Sequence, residues 1–120
     1  MVFLLYLIGF MLIYWLISNT AQNLALTGTA ILNIDDSNFS GDVNFTSPRI
    51  STGNTIYAET SYFEKTGAIN DASIGGNSFT KNCELRNTGT GYLLMGNGSP
   101  DIWGADLITN NLGEHNIYIA

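Results

Sequence analysis

The side chains able to do chemistry are few and scattered. His115 is the single histidine, and within Gly113-Glu114-His115-Asn116 it could act as a general base beside Glu114. Adjacent strand residues point to opposite faces, however, so the two would not converge on one substrate atom. Asp35, Asp36 and Asp42 form an acidic group, and Glu84 and Arg86 flank Leu85 on one outward face. Both sets fit solvated charge better than a catalytic pair. Trp103 with Asp101 and nearby Tyr92 offers another chemistry. A flat ring stacks on the C–H face of a pyranose while a carboxylate takes its hydroxyls, which makes these three the glycan-contact candidates. No catalytic constellation, metal-ligand spacing or cofactor motif emerges, so the sequence points away from an enzyme and implies no catalytic residue, metal or cofactor.

The remaining reactive groups are equally spare. Cys83 has no partner in the chain, which excludes an internal disulfide framework and suits a buried thiol. Asn38, Asn44 and Asn97 begin the sequons Asn38-Phe39-Ser40, Asn44-Phe45-Thr46 and Asn97-Gly98-Ser99, and would be glycosylation candidates on an extracytoplasmic face. A chain this rich in Asn, Ser and Thr yields about that many sequons by chance. Four scattered cations, Arg49, Lys65, Lys81 and Arg86, cannot neutralise a phosphate track, and with a net charge of −6 nucleic acid is excluded as a partner.

The elements that would position these groups fall into two regimes. Met1 to Ile17 is wholly apolar or aromatic apart from Gly9, and the first charged side chain is Asp35. Seventeen residues make about 26 Å of helix, close to the roughly 30 Å hydrocarbon core of a bilayer. Helix propensity continues through Ala21, Gln22, Leu24, Ala25 and Leu26 to a first stop at Gly28. The expectation is an N-terminal apolar α-helix over 1–26, serving as membrane anchor, filament core or cleaved signal segment. Phe3, Leu5, Ile8, Met11, Leu12 and Trp15 would do its packing.

Residues 27–120 read as an all-β, extracytoplasmic domain of short apolar clusters between Asn, Ser, Thr and Gly. Four segments align with an apolar column Phe39, Phe63, Leu85, Leu107 and, two residues earlier, a small-residue column Ser37, Ser61, Cys83, Ala105. The steps of 24, 22 and 22 residues suit one coil of a parallel β-helix, where like residues sit one above another. Through these columns, and through Asn82 to Leu94 and Asn110 to Ile119, the sequence resembles the right-handed parallel β-helix repeat family, pectate-lyase-like proteins included. The resemblance implies a right-handed parallel β-helix of about four coils; the alternative is an antiparallel β-sandwich head. By layout alone, an apolar start under a polar β head is similar to archaeal type IV pilin-like filament subunits.

The functional expectation is a non-enzymatic cell-surface protein, structural or glycan-contacting, tethered or assembled through its apolar start. A pilin-like filament subunit and a shortened polysaccharide lyase or hydrolase are the alternatives. Partners would be further copies of the chain, a membrane, or a polysaccharide, because the apolar ending Ile117-Tyr118-Ile119-Ala120 leaves a strand edge without a polar cap.

Overall fold

Apolar and small residues alternate with polar ones along Val43-Asn44-Phe45-Thr46-Ser47, Ser61-Tyr62-Phe63-Glu64-Lys65 and Cys83-Glu84-Leu85-Arg86-Asn87, the period of a strand with one face indoors. The computed structural model describes residues 23–120 in full and the backbone of Leu12–Trp15 and Ser18–Thr20. Every strand pairing in it is parallel. Wall one holds β1 (Leu12–Trp15), β4 (Ile31–Asp35) and β7 (Ile50–Gly53), and is extended by β12 (Leu93–Met95) with β15 (Ile117–Ile119). Wall two stacks β2 (Ser18–Thr20), β5 (Asn38–Phe39), β8 (Ile56–Tyr57), β10 (Ser78–Phe79) and β13 (Ile102–Trp103). Wall three stacks β3 (Leu24–Thr27), β6 (Val43–Ser47), β9 (Ser61–Lys65), β11 (Cys83–Asn87) and β14 (Leu107–Asn111). The chain visits the walls in turn, so five stacked strands on a wall are separated by four turns of a parallel β-solenoid.

This architecture overturns the expected helix. Leu12 and Trp15 lie in β1, and the stretch read as the end of the helix is β3, which runs across residue 26 and pairs Leu24 with Val43 and Leu26 with Phe45. The physical reason is local. Leu-Ala-Leu-Thr alternates with period two, and an existing wall offers both partners for its amides and an apolar column for its leucines, which outweighs a weak helix preference. Phe3, Leu5, Ile8 and Met11 lie outside the described residues. Among the described residues no helix is long and apolar enough to cross a membrane. The antiparallel sandwich is excluded too, since among the described residues no pairing is antiparallel.

The interior is built from columns. On wall two Phe39, Tyr57, Phe79 and Trp103 stack face to face, with centroid distances of 5.4, 4.8 and 4.5 Å and interplanar angles of 8°, 2° and 4°. Phe45 and Phe63 of wall three meet that stack edge-on, the other favoured aromatic geometry. The repeat columns are corrected accordingly. Ser61 does stack on Cys83 and Phe63 on Leu85, but the strand below contributes Val43 and Phe45, and the strand above contributes Leu107 and Thr109. Phe39 belongs to wall two, whose Ser37-x-Phe39 mimics the Ser61-x-Phe63 of wall three. Successive coils also differ in length: Leu26, Phe45, Phe63, Leu85 and Thr109 are in register at steps of 19, 18, 22 and 24. A fixed period therefore slides off the column.

Side chains rather than turns of regular type hold the corners. Between walls one and two, Asp36, Asn54 and Gly76 occupy the left-handed region at φ 47°, 48° and 74° in successive coils, a conformation tolerated best by Asn, Asp and Gly. Just inside this corner, buried Asn77 accepts from Thr55 N and Thr52 Oγ1 and donates Nδ2 to Asp101 Oδ1 at 2.8 Å. Between walls three and one, Ser47 Oγ donates to Ala30 O and Arg49 O, Lys65 Nζ to Gly67 O, and Asn87 Nδ2 to Gly91 O and His115 O. Such satisfied networks let polar residues sit indoors.

Candidate functional site

Outward side chains of wall three lie in rows one strand step apart. Asn44, Tyr62, Glu84 and Ile108 are in register, as are Thr46, Glu64, Arg86 and Asn110. At the start of these strands runs a groove of about 500 Å³, bounded on the corner side by Asn23, Asp42, Thr60 and Asn82 and on the sheet side by Ala25, Asn44, Tyr62, Glu84 and Ile108. It crosses the strands and so runs along the solenoid axis.

The corner rim is built by side chains that cap the next coil's amides. Asn23 Oδ1 accepts from Asp42 N at 3.0 Å, Asp42 Oδ1 accepts from Thr60 N at 3.1 Å and Thr60 Oγ1 at 2.5 Å, and Asn82 Oδ1 accepts from Asp106 N at 3.4 Å. On the sheet side, Tyr62 OH donates to Glu64 Oε2 at 2.9 Å and Thr88 Oγ1 donates to Glu64 Oε1 at 3.2 Å. Arg86 Nε stands 3.7 Å from Glu64 Oε1, so Glu64 and Arg86 balance each other. Desolvation first, and then the hydrogen bond to Glu64, raise the Tyr62 phenol above its usual value, which keeps it a donor. The result is a ladder of amides, hydroxyls and carboxylates around one ring. Among the described residues no three potential ligands gather as a metal site.

The glycan-contact candidates read from the sequence are placed apart. Trp103 faces inward as the last ring of the aromatic stack, and Asp101 is buried and bound to Asn77. Tyr92 is outward, edge-on to Tyr118 at 5.6 Å. Asn38, Asn44 and Asn97 are all exposed. Cys83 is 1% exposed, between Ser61 and Leu107, and burial pushes its thiol well up. Glu114 and His115 are exposed in the turn before β15, not on a strand, and His115 contributes its carbonyl oxygen to Asn87. Glu84 and Arg86 do share the outward face.

Sequence reasoning placed Asp42 only in an acidic group with Asp35 and Asp36, and missed Tyr62 and the rest of the corner rim, Asn23, Thr60 and Asn82. The signal was present: each rim residue immediately precedes a member of the inward column Leu24, Val43, Ser61, Cys83. Only the true register, not a fixed period, aligns them.

Fold and groove together define a parallel β-solenoid with a lateral axial cleft. Compared with known proteins, the chain matches no family model, no curated protein and no solved structure, so no relative supports either the pectate-lyase-like or the pilin-like likeness.

Proposed function

We propose that the protein is a cell-surface structural solenoid that contacts a polysaccharide along the wall-three groove. The observation that carries this reading is the periodic lining. Donors and acceptors recur at each strand step, about 4.8 Å along the axis, which is close to the length of one pyranose in an extended glycan. A polymer with a matching repeat can use the same contact several times, and Tyr62 supplies the flat apolar surface on which a ring can rest. The reading involves no catalytic step.

Retention on polysaccharide columns tests it. Tyr62→Ala removes the ring from an outward position and leaves the interior untouched, so binding should fall by about five- to tenfold while the unfolding midpoint holds. Undiminished retention of the variant, or the absence of retention of the parent chain on every neutral or charged glycan tried, would contradict the proposal.

A further inference from the structure

The charge of the groove narrows the ligand. Resting on the reading above, we infer that the groove selects glycans bearing amino groups, polymers of glucosamine type, over neutral and especially over uronic acid polymers. The charged residues lining it are Asp42 and Glu84, one on each rim, and neither Lys nor Arg is among the lining residues. Arg86, the nearest outward cation on the sheet side, faces Glu64 at 3.7 Å and is thereby neutralised. Lys81 lies on the exposed corner turn just before the rim, beyond the lining. Asp106 extends the corner rim one coil past Asn82, to which its amide is bonded, and adds a further negative charge at that end. The chain as a whole carries −6, so its long-range field has the same sign as the groove.

The two lining carboxylates are also spaced for a polymer. The in-register column Val43, Ser61, Cys83 places Asp42 and Glu84 two strand steps apart, about 10 Å along the axis, close to a disaccharide repeat. An extended chain of amino sugars would bring one ammonium to each while its hydroxyls meet Asn44, Thr60 and Asn82. A uronate in the same place would set carboxylate against carboxylate.

Titration calorimetry at mildly acidic pH with three oligosaccharides of equal length, glucosamine, N-acetylglucosamine and galacturonate, separates the cases. The glucosamine oligomer should bind about fivefold more tightly than its N-acetylated counterpart, the uronate should bind most weakly, and added salt should erode the preference. Glu84→Gln, which leaves Asp42 in place, should narrow the preference for the glucosamine oligomer over the N-acetylated one to about twofold. Equal affinity for the two amino-sugar oligomers, a preference for the uronate, or an unaltered preference in Glu84→Gln would overturn the inference. In those cases sensitivity of binding to Tyr62→Ala would still preserve the groove as a glycan site. If none of the three oligomers binds and polysaccharide retention is also absent, the groove reading falls as well.

Discussion

Walls one and two close the same coils by different physics. Wall two is continuous, and its inner surface is a column of four aromatic rings in face-to-face contact from Phe39 to Trp103. Wall one is interrupted where the coils lengthen. At residues 71–73 side chains replace main-chain acceptors: Asp71 Oδ1 takes the amide of Ile50 at 3.1 Å and Ser73 Oγ takes that of Thr52 at 3.1 Å. The amides of Asp71 and Ser73 then donate upward to Tyr92 O and Leu94 O, so the stack continues through a polar seam. Stacked rings tolerate changes of pH and salt. A buried carboxyl does not.

The contrast can be broken from the aromatic side first. Phe79 lies between Tyr57 and Trp103 and is 1% exposed, so Phe79→Ala should cost about 3–5 kcal/mol, read as a lower urea midpoint. A loss below about 1 kcal/mol would mean that the stack is not the spine of the fold.

Asp71 gives the next effect, and its sign is unusual for an acid. The residue is 0% exposed, and burial pushes its carboxyl up to about 7, against partial relief from Lys65, the Ile50 amide and Arg49. Between its ordinary value and about 7 the folded chain holds a proton that the unfolded chain has released. Stability from this group is therefore full at low pH and lost as pH rises through about 7. Asp101, raised by burial in the same direction, adds to the slope. The protein should be more stable near pH 5 than near pH 8 by about 1–3 kcal/mol, and Asp71→Asn, which keeps an acceptor for Ile50 N, should flatten most of that difference. Equal pH dependence in parent and variant would place the sensitivity elsewhere.

The smallest effect comes from wall three. Ser61 Oγ is buried, stacked between Val43 and Cys83, and has no hydrogen-bond partner among the described residues. Removing it in Ser61→Ala should be neutral or stabilise by up to about 1 kcal/mol in thermal unfolding. A marked loss would show that the hydroxyl has work to do in the column.

The same contrast explains what could be read from the sequence. The small-x-large patterns at Ser61-x-Phe63 and Cys83-x-Leu85 stand on one wall in register, and they disclosed a stacked parallel coil. The pattern at Ser37-x-Phe39 is chemically the same but lies on wall two, because two walls of one coil can each present a small residue followed by a large one. Asp101 and Trp103 looked like surface chemistry because acids and large rings usually are. In a narrow solenoid, the corner network takes up the acid and the aromatic column takes up the ring. The groove escaped notice because its rims are assembled from residues 18 to 24 positions apart, at intervals that vary from coil to coil. The apolar opening suggested a helix because residue type says little about geometry when no polar residue marks a period; Leu12–Trp15 joined wall one instead.

Register is the claim on which the walls, the groove and the polar seam all depend, and a cross-link reads it directly. Cys83 faces Leu107 in the next coil, whereas a constant repeat of 22 residues would set it against Ala105. Parallel neighbours in a column fall within the Cα separation that a disulfide spans. Leu107→Cys and Ala105→Cys should each be refolded under mild oxidation and mapped by mass spectrometry of non-reduced peptides. The account predicts a bond to Cys83 from position 107 and none from position 105; a bond formed from 105 alone would contradict it.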